Sequence, residues 1–117
     1  MIKLLLVEDD RIVMIPVKMR LERSGFAVRV AGNGQEALES IAEHGEPDVI
    51  LLDLRMPIMD GYEFMRTYRG VAKVIILSGW ADEDPSNIPG SPFAFIAKPF
   101  SFDELKEVIQ QAVSTNG

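Results

Sequence analysis

Four short apolar, β-branched-rich runs, separated by longer segments of helical periodicity, constrain this chain more than any other feature. The runs are Lys3–Val7 and residues 28–31, 49–52 and 74–77; a weaker fifth is Ala94–Ala97. Between them, Ala37, Leu38 and Ile41 share one helical face, with Glu36, Glu39 and Glu43 turned away. Leu105, Val108, Ile109 and Ala112 repeat that pattern near the end. Asn33 with Glu36, and Ser101 with Glu104, have the spacing of capping boxes, and Asp10 suits the N-cap of a first helix. Apolar strands alternating with amphipathic helices predict an α/β fold whose parallel sheet is covered on both faces. Two segments fit this less well. Pro16 falls inside the first helical pattern and predicts a kink or a late helix start. Residues 81–92 hold Pro85, Pro89, Pro92 and Gly90, so a fourth helix there is expected to be short or irregular.

In such sheets the ligand site lies at the carboxyl ends of the strands. The first run ends in Glu8, Asp9 and Asp10, the third in Asp53, the fourth in Ser78 and Gly79, and the fifth in Lys98 and Pro99. Dispersed in sequence, these groups converge in this architecture. Carboxylates about 4 Å apart repel by roughly 4 kcal/mol at an effective dielectric near 20, so the cluster must hold a proton or a cation. Oxygen-only ligands, few in number, suit Mg²⁺ better than a Ca²⁺ cage. The chain has no cysteine and one histidine, His44, in a helical segment, which makes a zinc site improbable. A divalent ion beside Asp53 prepares that carboxylate as a nucleophile toward phosphorus, with the Lys98 ammonium and the Ser78 hydroxyl as donors to phosphoryl oxygens.

Composition narrows the context. At 117 residues, 47% of them apolar, the chain fits one domain, residues 1–117, with a core that needs no disulfide. Its apolar runs are far too short to span a bilayer, and it lacks the pattern of a signal peptide, so a cytoplasmic protein is expected. A net charge of −6 without a dense Lys/Arg run argues against direct nucleic-acid binding.

Residues 2–113 resemble the receiver domain of bacterial two-component systems, the fold shared with the chemotaxis response regulator. The resemblance rests on LLLVEDD (residues 4–10), VILLDLRMPIMDG (49–61), ILSG (76–79) and FIAKPF (95–100), in this order and at these spacings. It implies a flavodoxin-like, doubly wound sheet of five parallel strands in the order 2-1-3-4-5, with five helices. It implies Asp53 as phosphoacceptor, Asp9 as a direct Mg²⁺ ligand, Glu8 as an acidic partner acting largely through water, and the Arg55 backbone carbonyl as a further ligand. Ser78 is implied as the switch hydroxyl, Phe95 as the switch aromatic and Lys98 as the phosphate-binding lysine, with a cis peptide before Pro99. The implied partners are a sensor histidine kinase or histidine phosphotransfer protein and a downstream protein or output domain, with no membrane contact and a monomer or weak dimer. Gly79 stands where alanine is usual, Arg55 and Trp80 flank the expected mouth of the site, and the proline-rich residues 81–92 put the family's usual dimer surface in doubt.

Other readings stand beside these. Asp9 or Asp10 reads equally as a helix cap, Lys98 as a surface lysine lying over Phe100, Ser78 as an ordinary strand-end serine and Phe95 as plain core. The resemblance favours a self-phosphorylating and self-dephosphorylating switch over a turnover enzyme. Its alternatives are a phosphate sink in a phosphorelay, a degenerate scaffold and a phosphatase of the haloacid-dehalogenase type. The last needs a second Asp two residues beyond Asp53, where this chain has Arg55.

Overall fold

The computed structural model describes residues 1–79 and 84–115. Five parallel strands, β1 (Lys3–Val7), β2 (Ala27–Ala31), β3 (Val49–Asp53), β4 (Lys73–Ser78) and β5 (Ala94–Ala97), form one sheet in the order β2-β1-β3-β4-β5. Four α-helices connect or follow them: α1 (Arg11–Arg23), α2 (Gly34–His44), α3 (Gly61–Thr67) and α4 (Phe102–Ser114). The two-residue period of the strands divides the core. Leu4, Leu6, Leu51, Ile75 and Leu77 pack with Leu21 of α1 and Leu105 and Ile109 of α4. Leu5, Val7, Ile50, Leu52 and Ile76 face the other way, onto Ala37 of α2 and Phe64 and Met65 of α3. Every residue of β3 is buried, as expected of the central strand of a sheet covered on both faces.

Local chemistry sets the helix starts. Oδ1 of Asp10 accepts from the Ile12 amide at 2.9 Å, Oδ1 of Asn33 from Glu36 at 2.9 Å, and Oγ of Ser101 from Glu104 at 3.0 Å. Glu36 Oε1 accepts from the Gly32 amide at 2.9 Å, one residue before the cap, while its Oε2 accepts from the Asn33 side-chain Nδ2 at 3.5 Å. Asp60 caps α3 in the same manner, through the Glu63 amide at 2.9 Å.

The two expectations that rest on prolines have different outcomes. The helix α1 begins at Arg11 and runs through Pro16, so the proline does not delay it. Pro16 offers no N–H to the Ile12 carbonyl, a loss met on the solvent side of the helix. As the prolines predict, the fourth of the five helices implied by the resemblance is short: the described part of the β4–β5 connection holds one 3₁₀ turn, Pro85–Asn87. Its packing falls to Ile88, which is buried against the α2–α3 core cluster. Trp80 and residues 81–83 of the proline-rich stretch lie outside the described residues.

Gly61 brings α3 against the end of β3. Its amide bonds the Leu54 carbonyl at 3.1 Å, and a Cβ there would lie 2.5 Å from the Asp53 carbonyl oxygen and 2.8 Å from the Leu54 Cα. Backbone cannot yield as a flexible side chain can. Among the described residues, a Cβ at Gly79 would meet only the Lys98 side chain, at 3.6 Å. Gly61→Ala is therefore expected to lower the urea-unfolding free energy by about 1–3 kcal/mol. Gly79→Ala is expected to change it by no more than about 0.5 kcal/mol. Equal unfolding midpoints for the two variants would contradict this account of Gly61.

Candidate functional site

The parallel register puts the ends of four strands along one edge. Val7 pairs with Leu52, Asp53 with Leu77, and Ser78 with Ala97. Glu8, the last residue of β3, the last residue of β4 and Lys98 thus share the carboxyl edge of the sheet. Glu8, Asp53 and Ser78 are all buried there, while Asp9 is exposed. One carboxylate oxygen from each of Glu8, Asp9 and Asp53 lies within 4.8 Å of the others.

Local bonds hold these groups. The Glu8 amide donates to the Ala31 carbonyl at 3.0 Å, continuing the β1–β2 ladder, and Glu8 Oε2 accepts from the Asp10 amide at 3.3 Å. Asp53 Oδ1 accepts from the Leu54 amide at 2.8 Å. The Lys98 amide donates to the Ser78 carbonyl, and the bond between Lys98 and Pro99 is cis, as the resemblance implies. From that anchor Lys98 Nζ reaches Glu8 Oε1 at 3.0 Å and Asp53 Oδ1 at 3.7 Å. Lying over Phe100 is thus not its only role, since it meets both buried carboxylates.

The loop after Asp53 closes one side. The Met59 amide bonds the Pro57 carbonyl at 2.7 Å across Ile58, whose φ of 69° is disfavoured for a β-branched residue. The Met59 carbonyl in turn accepts from the Gly34 amide at 2.8 Å, and a Cβ on Gly34 would come within 2.7 Å of Met59 Cγ. That docking onto the start of α2 holds the strained turn in place. Sequence reasoning gave Gly34, Asp60 and Gly61 no part in the site. The closing Asp-Gly of the residue 49–61 motif was the available signal for the last two. Phe95 is half-buried against the α2–α3 cluster, in register with Ile76 and so two residues back from the edge. Arg55 is exposed on the same loop, and Trp80 lies outside the described residues.

The electrostatics follow from burial. Loss of water raises the Glu8 carboxyl above its ordinary value; a hydrogen bond with Asp53 adds to this and Lys98 partly offsets it. Asp9 is raised too, first by loss of water and then by its hydrogen bond with Glu8. A carboxyl raised in the folded state stabilises the fold below its unfolded value, 4.5 for Glu8, and loses that contribution as pH rises through the folded value. In metal-free buffer, Glu8→Gln should therefore gain stability relative to the parent protein between pH 4 and neutrality. Urea unfolding across that range checks this, and a parent protein that gains on the variant would contradict it.

The fit to a metal is chemical. Three clustered carboxylates opposite one ammonium offer hard oxygen ligands and excess negative charge, which suits a small divalent cation such as Mg²⁺.

Comparison with known proteins agrees with this geometry. The family model for the response regulator receiver domain matches residues 4–110. Regulatory protein AtoC of Escherichia coli is 32% identical over 95% of this chain and 25% of its own length. Sensor kinase CckA of Brucella abortus is 36% identical over 92% of this chain and 12% of its own length. The chain thus spans a minor part of these curated relatives. Among solved structures, response regulator TrrA of Thermotoga maritima, in complex with Mg²⁺ and BeF, superposes with a TM-score of 0.82. It is 31% identical, with coverage of 96% of this chain and 99% of TrrA. On its sequence, its sheet order and the groups gathered at the sheet's carboxyl edge, this chain belongs to the response regulator receiver domain family.

Proposed function

We propose that Asp53 is the phosphoacceptor of a Mg²⁺-dependent switch, fed by a sensor histidine kinase or a histidine phosphotransfer protein. The observation that carries this reading is the convergence of Glu8, Asp9 and Asp53, from β1 and β3, with Lys98 from β5. An Asp53 oxygen forms a bond to phosphorus while the bond from phosphorus to the donor's imidazole nitrogen, or to an acyl oxygen, breaks. Lys98 takes one phosphoryl oxygen and the Ser78 hydroxyl donates to another. Asp9, Asp53 and the Arg55 carbonyl, with Glu8 acting through water, would hold Mg²⁺, which would supply charge neutralisation at the phosphoryl group. Hydrolysis of the aspartyl phosphate resets the protein. Arg55 provides no second carboxylate for turnover of outside substrates, so the domain acts as a switch rather than a turnover enzyme.

Movement of Ser78 toward a phosphorylated Asp53, followed by repacking of Phe95, carries the signal to a downstream protein or output domain. The surface for the phosphoryl donor is α1, where Ile12, Ile15 and Met19 are exposed at helical spacing. A groove lined by Val13, Val17, Pro99 and Phe100 lies beside them and includes Lys98. Among the described residues, a 3₁₀ turn stands where the fourth helix would, which disfavours a dimer through that face, in keeping with a monomer or weak dimer. Among the described residues no helix is long and apolar enough to cross a membrane; we assign the domain to the cytoplasm and to protein partners rather than nucleic acid.

Incubation with a small acyl-phosphate donor and Mg²⁺ should add one phosphoryl group, detected by intact mass. Asp53→Asn or excess EDTA should abolish the addition. Equal labelling of Asp53→Asn would rule out this acceptor, and full labelling in EDTA would rule out the metal dependence.

A further inference from the structure

We propose that Glu8 is a positioning residue for Lys98, its buried carboxylate holding the ammonium off Asp53 until a phosphoryl group draws it across. This rests on the phosphoacceptor reading and gives Glu8 a role beyond a water-mediated metal contact. Lys98 Nζ donates to Glu8 Oε1 at 3.0 Å and only borders Asp53 Oδ1, at 3.7 Å. Both ends of the Glu8–Lys98 contact are fixed. Glu8 is 5% exposed, and its amide and Oε2 are tied to the Ala31 carbonyl and the Asp10 amide. The backbone of Lys98 is tied to the Ser78 carbonyl, at the end of β4.

Among the described residues, Glu8 and Asp53 are the two carboxylates that pair with Lys98. With Glu8 neutralised, the ammonium keeps Asp53 alone as its anion and closes on the nucleophile. A closed Lys98–Asp53 pair withdraws negative charge from the carboxylate that must meet both cation and phosphorus. Glu8 thus keeps Asp53 available, and the incoming phosphoryl group, which carries more negative charge than Glu8, competes successfully for the lysine.

A double-mutant cycle over Glu8→Gln and Lys98→Met separates this role from a metal contact, with Mg²⁺ alone as the probe and amide spectra confirming that each variant is folded. Glu8→Gln is expected to weaken Mg²⁺ binding about tenfold when Lys98 is present and less than about twofold when it is Met, since coupled residues are non-additive. Without metal, the carboxylate ¹³C signal of Asp53 should move in Glu8→Gln and return when Lys98 is also replaced. An equal loss of affinity in both backgrounds, or an unmoved Asp53 signal, overturns the positioning role while leaving the phosphoacceptor reading intact. A parent protein that binds no Mg²⁺ overturns both.

Discussion

The reach of Lys98 across the carboxyl edge is the constraint on which the rest of the site depends. Glu8 follows β1 and Lys98 follows β5, and the sheet order places β3 and β4 between them. At about 4.8 Å per strand that separation is roughly 14 Å, close to the reach of the two extended side chains together with the contact between them. The contact at 3.0 Å forms because both side chains pass over the ends of the central strands. Asp53 and Ser78 therefore sit beneath it, buried and close to one fixed positive charge. The cis bond at Pro99 and the amide contact with Ser78 fix the point from which that reach begins.

Burial gives the arrangement its chemical tension. Two of the three clustered carboxylates are largely removed from water, and the cluster holds them within 4.8 Å of one another. Lys98 relieves part of that repulsion and leaves an excess of negative charge for a cation. The remainder of the fold keeps these groups from drifting apart. Gly61 admits α3 against the Asp53 backbone, and the strained turn at Ile58 is pinned to α2 through Met59 and Gly34. These glycines serve the site without touching any ligand. They act by letting backbones approach where a side chain would separate them.

The two faces of the sheet are covered unequally. One carries two full helices, α1 and α4; the other carries α2, the short α3 and the Ile88 contact of the 3₁₀ segment. Prolines at 85, 89 and 92 explain the shortened connection, because each removes an amide donor and restricts the residue before it. The apolar residues on the outer side of α1 are left exposed by the described part of the fold. An amphipathic helix needs only one apolar stripe, and Leu21, Met14 and Val17 already supply it.

Much of this was legible in the residues alone. Strand-length apolar runs, capping residues at Asp10, Asn33 and Ser101, and reactive groups at the run ends determined a parallel α/β sheet with an acidic edge, because these signals are local. The resemblance added the strand order and the roles expected of Asp53, Lys98 and Ser78. Tertiary structure alone decided that Lys98 bonds Glu8 rather than Asp53, that Gly34 and Gly61 are close-approach points, and that Ile88 packs where a helix would stand. Each depends on a distance between segments remote in sequence. Residue type states what a side chain can bond to, but only packing states which of two carboxylates lies 0.7 Å nearer to the same ammonium.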